Sequence, residues 1–187
     1  FAEVSGTITL QSGQLCRHNP RSGIDTPTNL DDLAKPAWYL LPFKHYDRSM
    51  SVAGRSFERE PERSAPMMTQ RGCPFQCTFC FESMMHDHPE LVGNIWKVRT
   101  HSDERFMEEL EDLDALGVKQ VRIEDDSFLF KKLRVKRLLS LLAGKGKKLS
   151  DANGVNLSHL VTKEGGKHVI DVDYLERLAA AGFTTIV

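Results

Sequence analysis

The sequence lacks any apolar run approaching the roughly 20 residues a membrane-spanning helix needs, and it shows no signal-peptide pattern. It also lacks an excess of charge of either sign, with 25 Lys and Arg against 26 Asp and Glu and a net charge of -1. Such a balance offers no basic footprint for nucleic acid and no like-charge run of the kind that marks a disordered tail. Cysteine is scarce: four residues in 187, of which Cys16 stands alone and Cys73, Cys77 and Cys80 crowd one short segment. That placement argues against the evenly paired cysteines of a secreted disulfide framework and for a reducing, cytoplasmic setting. No internal repeat or low-complexity stretch is visible. What is present is an ordinary globular composition, 40% hydrophobic and 27% charged. The length suits one domain, or a domain with an attached arm. The chain opens on Phe1 and closes in the β-rich Thr184-Thr185-Ile186-Val187, so it reads as a piece of a longer protein.

Residues 1–64 are punctuated rather than periodic. Gly6 to Leu15 predicts a small hairpin turned at Ser12-Gly13. Pro20, Pro27, Pro36, Pro42 and Pro61 then mark an extended arm with short turns. Within it, Leu30-Asp31-Asp32-Leu33 and Pro36-Ala37-Trp38-Tyr39-Leu40-Leu41-Pro42 carry apolar side chains expected to dock on a neighbouring surface, as a linker or beside a substrate route.

From Ala65 the pattern changes. Ala65 to Gln70 reads as a buried strand. A helix capped by Ser102 follows, with Phe106, Leu110, Leu113 and Leu116 as its apolar stripe and Gly117 as its stop. Val118 to Glu124 is the second expected strand, and Leu133 to Ala143 a second helix stopped by Gly144. Gly154 to Val161 reads as a third strand, and Asp173 with Glu176 opens a third helix running to Gly182. Phe183 to Val187 begins a fourth strand. Strands alternating with helices predict an α/β fold with a parallel sheet, about half of a TIM-like (β/α) barrel. The expected organisation is therefore an arm over 1–64, the tail of an absent upstream domain, and a truncated half-barrel over 65–187. Chemistry in parallel sheets gathers at the C-terminal strand ends. The cysteine loop, Asp125-Asp126, and His159 with Thr162 are expected at those ends.

Arg71-Gly72-Cys73-Pro74-Phe75-Gln76-Cys77-Thr78-Phe79-Cys80 has the spacing C-x3-C-x2-C. Thiolates are soft ligands suited to iron–sulfur clusters. Three of them leave one iron of a [4Fe-4S] cluster without a protein donor and open to a small molecule. The competing reading is a Cys3His structural zinc site completed by His86 or His88, although such sites usually pair two C-x2-C knuckles.

The cysteine motif, with Phe79 before its last cysteine, a strand ahead of it and a βα succession behind, resembles the radical SAM superfamily over roughly 65–187. The resemblance implies Cys73, Cys77 and Cys80 as cluster ligands. It implies S-adenosylmethionine (SAM) bound at the open iron, and its reductive cleavage to methionine and a 5′-deoxyadenosyl radical that takes hydrogen from substrate. It further implies Phe79 beside the adenine and Asp125 or Asp126 on the SAM amino group, although Glu124-Asp125-Asp126 stands where the family has a Gly-Gly-Glu element. Asn156 and Ser158 fall where the SAM carboxylate or ribose would be reached. Arg99 is a candidate partner for a carboxylate. Leu30 to Pro42 and Met68 to Cys73 look like the arm and leading strand of cobalamin-binding-domain radical SAM proteins, which include methyltransferases and ring-forming enzymes. Cobalamin would then enter through a missing domain, since no Asp-x-His-x-x-Gly motif occurs here. The implied partners are a small-molecule substrate and an electron donor such as flavodoxin or ferredoxin. A methylthiotransferase-like radical enzyme is the alternative within the superfamily.

Overall fold

The computed structural model describes residues 8–17, 28–46, 62–88 and 95–186. The strands, in chain order, are β1 Ile8–Gln11, β2 Gln14–Arg17, β3 Ser64–Met67, β4 Gln70–Arg71, β5 Arg99–Thr100, β6 Gln120–Ile123, β7 Lys148–Asp151, β8 Val161–Glu164, β9 Lys167–Ile170 and β10 Phe183–Ile186. The α-helices are α1 Phe81–Asp87, α2 Asp103–Ala115, α3 Lys132–Leu142 and α4 Val172–Ala180. The chain forms two compact units, one of Phe1–Asn29 with Arg71–Arg99, the other of Leu30–Gln70 with Thr100–Val187. Among the described residues, no helix is long and apolar enough to cross a membrane.

The first unit contains the antiparallel β1–β2 hairpin, the cysteine loop and α1. The hairpin turns at Ser12-Gly13 as the sequence predicts. Both residues take positive φ, 50° and 81°, the twist that two-residue hairpin turns require.

The second unit contains a four-stranded sheet of order β10-β7-β6-β3 with every pair parallel. Neighbours in the sheet are also successive core strands in the sequence, joined by α2, α3 and α4, as in one half of a (β/α) barrel. Phe106, Leu110 and Leu113 of α2, Val135, Leu138, Leu139 and Leu142 of α3, and Tyr174 and Leu178 of α4 are buried with Ala65, Met67, Val121, Ile123 and Leu149 of the sheet. Each large side chain buried in this way contributes about 1.5–3 kcal/mol. Ser102 caps α2 by accepting from the Arg105 backbone N–H at 3.0 Å.

Two expectations are corrected. The third sheet strand is β7, Lys148–Asp151, and not Gly154 to Val161. Leu149 is its one apolar residue, so no hydrophobic run announces it. Pairing with β6 on one side and β10 on the other makes it a strand. The segment read as that strand instead holds a single 3-10 turn, Leu157–Leu160, followed by the β8–β9 hairpin. Asn156 starts the turn, its side chain accepting from the Ser158 N–H. Likewise α4 is capped by Asp171, which accepts from the Tyr174 N–H, and starts ahead of Asp173.

Of the expected arm, residues 28–46 carry three short 3-10 turns and belong to the sheet-bearing unit. Leu30 and Phe43 dock by burial in that unit, whereas Tyr39 and Leu40 stay exposed. Asp31 fixes the segment by accepting from the Ser102 N–H at 3.1 Å and pairing with His101 at 3.1 Å. Pro20, Pro27, Pro61 and Val187 lie outside the described residues.

Candidate functional site

The cysteine loop opens at Gly72, whose φ is +83°. A Cβ there would stand 2.5 Å from the carbonyl oxygens of both Trp96 and Lys97. The position therefore requires glycine on two counts, handedness and space. Cys73, Cys77 and Cys80 are not in disulfides, and each is partly buried. The loop tightens where the Cys80 N–H donates to the Cys77 carbonyl at 2.9 Å. From α1, the Ser83 hydroxyl donates to the Cys77 carbonyl at 2.6 Å, and the His86 ring reaches the Cys73 carbonyl through Nε2 at 3.1 Å. Gln76 meets His86 Nδ1 at 3.5 Å, and the His86 and Trp96 rings lie 4.4 Å apart. Side chains of α1 thus hold the backbone at Cys73 and Cys77. The thiols are not gathered: among the described residues, no three of Cys, His, Asp or Glu converge as a metal site. Phe79 projects into solvent, 91% exposed. Arg99 donates to the carbonyls of Ile95 and Lys97.

In the sheet-bearing unit a second cluster forms past the C-terminal ends of β3, β6 and β7. Asp125 is buried and accepts three hydrogen bonds, from the Thr69 N–H and hydroxyl at 2.5 Å each and from the Gln70 N–H at 3.0 Å. Arg134, itself buried, donates to the Thr69 hydroxyl and carbonyl at 3.2 Å. Burial pushes the Asp125 carboxyl up to about 6, against the pull of those donors and of Arg134. The carboxylate thus locks the chain just past β3 to the end of β6. Asp126 is exposed. Ser158 is also exposed, on the 3-10 turn rather than on a sheet strand. Thr162 lies in β8, and His159 is buried on the same turn as Ser158.

Sequence reasoning missed Arg134 and Asp151. Arg134, Leu138 and Leu142 share one helical phase, i, i+4, i+8, and that phase marks Arg134 as facing inward. Asp151 ends β7 and is 1% exposed; its Oδ1 accepts from the Asn153 N–H at 3.3 Å, while Oδ2 has no hydrogen-bond partner among the described residues. Lying in Ser-Asp-Ala-Asn-Gly, it reads in sequence as a turn residue.

Burial pushes the Asp151 carboxyl up to about 6, and the nearby Asp125 adds to the shift. The sign follows. In the unfolded chain the carboxyl ionises near its ordinary 3.8, so below that pH neither state is charged and folding bears no penalty. As pH rises through 6 the folded state must hold a buried charge, and stability is lost. Asp151→Asn, which cannot ionise, is therefore expected to stabilise the protein by about 2–3 kcal/mol near pH 8 and by little near pH 4. Urea unfolding at the two pH values checks this. An equal effect at both would show that burial of charge is not the cause.

Comparison with known proteins gives a consistent answer. A family model for the Radical SAM superfamily matches residues 67–187. An uncharacterized methyltransferase of Pyrococcus horikoshii is 30% identical over 178 residues, covering 90% of this chain and 34% of that protein. The radical S-adenosylmethionine methyltransferase TsrM from Kitasatospora setae, solved with tryptophan substrate and the SAM analog aza-SAM, aligns with TM-score 0.52 and 17% identity over 97% of this chain and 31% of its own. TsrM solved with cobalamin and a [4Fe-4S] cluster aligns with TM-score 0.48 and 18% identity, over 66% of this chain and 21% of its own. The chain thus spans about a third or less of the length of these relatives, and the TM-score of 0.52 reflects a shared fold. The family match takes in the whole cysteine loop and runs through all of β6, β7 and β10: the chain belongs to the radical SAM superfamily.

Proposed function

We propose that this chain is the cluster-binding part of a radical SAM enzyme that transfers a methyl group to a small-molecule substrate, with Cys73, Cys77 and Cys80 as thiolate ligands of a [4Fe-4S] cluster. The observation that carries the reading is the loop. Three cysteines outside any disulfide lie within eight residues, on backbone pinned at Cys73 and Cys77 by side chains of α1. The fit is one of donor chemistry, since soft thiolates in this number suit a cluster with one open iron. Loading has to draw the three side chains together on backbone already in place. When bound, the cluster supplies the electron that splits SAM into methionine and a 5′-deoxyadenosyl radical.

The chain's own residues bind and orient. The exposed Phe79 ring is free to lie against the adenine, and Asp126 and Ser158 offer exposed polar groups to SAM. Asp125, with both oxygens engaged by Thr69 and Gln70, serves to hold the strand ends. That the His86 ring nitrogens face the Cys73 carbonyl and Gln76 supports the cluster reading over a Cys3His zinc site. The methyltransferase reading is supported by the Pyrococcus relative. Association with cobalamin rests on the resemblance of the Leu30–Pro42 arm, with the corrinoid held by another domain. The electron would come from a small donor of the flavodoxin or ferredoxin type.

The test is product analysis on the full-length protein, reduced without oxygen and supplied with SAM. Formation of 5′-deoxyadenosine and methionine in equal amounts is expected, with S-adenosylhomocysteine as the mark of methyl transfer. A cluster-loaded, reduced protein that leaves SAM intact would overturn the reading.

A further inference from the structure

His86 sits on α1, a helix that follows the cysteine loop directly, and the cluster reading leaves its ring without a role. Its Nε2 lies 3.1 Å from the Cys73 carbonyl. A carbonyl can only accept, so Nε2 carries the proton and donates. Nδ1 is then the bare nitrogen, and the Gln76 side-chain amide donates to it at 3.5 Å. The ring also packs on Trp96, 4.4 Å between centroids at 32°, and the carbonyl of Trp96 is one of the two that crowd Gly72. One turn earlier on the same face of α1, at i−3, the Ser83 hydroxyl donates to the Cys77 carbonyl at 2.6 Å.

We infer that His86, with Ser83, is a positioning residue for the cluster loop: the two hold the backbone of Cys73 and Cys77 so that their thiols converge when iron is loaded. This rests on the assignment of Cys73, Cys77 and Cys80 as the ligands. The physical basis is that of any support behind a metal ligand. The three thiols are ungathered, so loading must order side chains. A backbone already fixed at two ligands limits that ordering to side-chain rotation. His86 touches neither substrate nor cluster in this role.

The experiment uses the full-length protein, reconstituted without oxygen with iron and sulfide, as wild type, His86→Ala, His86→Gln and Ser83→Ala. Two readouts are taken: the rate at which bound iron passes to a competing chelator, and the electron paramagnetic resonance spectrum of the reduced cluster. Removing such a support typically weakens metal binding about 10–100-fold, so His86→Ala is expected to release iron at least about tenfold faster. Its spectrum should broaden as the loop becomes heterogeneous. A Gln side chain reaches about as far as the imidazole and can donate its amide N–H to the Cys73 carbonyl. His86→Gln is therefore expected to retain iron within about threefold of wild type, and Ser83→Ala to fall between the two. Wild-type retention by His86→Ala overturns the proposal. So does equal leakage from His86→Ala and His86→Gln, since that would assign the effect to ring packing on Trp96. A wild-type protein that takes up no iron overturns the ligand assignment itself, and is told apart because every variant would then be equally empty.

Discussion

Replacing Asp125 with alanine is expected to destabilise the protein by about 3–5 kcal/mol, the range for removing one member of a buried charged network. Asp125 is 1% exposed, and its two oxygens accept from two backbone N–H groups and one hydroxyl. The Thr69 hydroxyl that donates to Asp125 also accepts from Arg134, so the carboxylate, the hydroxyl and the guanidinium form one chain of contacts. Alanine would leave the Thr69 and Gln70 N–H groups buried without acceptors, and a buried arginine without its counter-charge. Asp125→Asn keeps an acceptor but sets an N–H₂ group against donors, and should lose about 1–3 kcal/mol. Urea unfolding near neutral pH checks both. A loss below about 1 kcal/mol for the alanine variant would show that the network adds little to the fold.

Cys77→Ala is expected to abolish cluster binding while leaving the fold intact. Two thiolates cannot close a site that needs three, so iron should fall from about four per chain to almost none. The fold should tolerate the change because what α1 holds at this position is the Cys77 carbonyl, through Ser83, and alanine keeps that carbonyl. The thiol is only partly buried, so the cavity left is small and the stability cost should stay within about 1 kcal/mol. Iron analysis paired with thermal unfolding of the metal-free protein separates the two effects. A variant that keeps its iron would remove Cys77 from the ligand set.

Much of the fold was legible where a period repeats. The stripe Phe106, Leu110, Leu113 and the stripe Val135, Leu138, Leu139, Leu142 are both buried in the helices they predict. Strand β7 was not legible, because Lys148-Leu149-Ser150-Asp151 owes its conformation to neighbours on both sides. Without β7, the next apolar stretch reads as the strand, with Ser158 on it and His159 and Thr162 near its end, whereas Ser158 and His159 lie on a 3-10 turn and Thr162 in β8. The cysteine motif was legible from spacing alone. The parts that hold it are not local in pattern: His86 and Ser83 read as ordinary residues of a short helix, and only their bonds to the Cys73 and Cys77 carbonyls give them a role. For Asp125 the position is legible in the sequence but the partners are not. Its acceptance of N–H groups 55 and 56 residues away belongs to the tertiary structure.

The central claim is that this loop holds an iron–sulfur cluster, and it is tested most directly by metal and sulfide analysis of the full-length wild-type protein prepared without oxygen. About four irons and four sulfides per chain are expected, with a broad brown absorption that bleaches on reduction. A colourless protein carrying one zinc and no sulfide would contradict it and leave the cysteines as a structural metal loop.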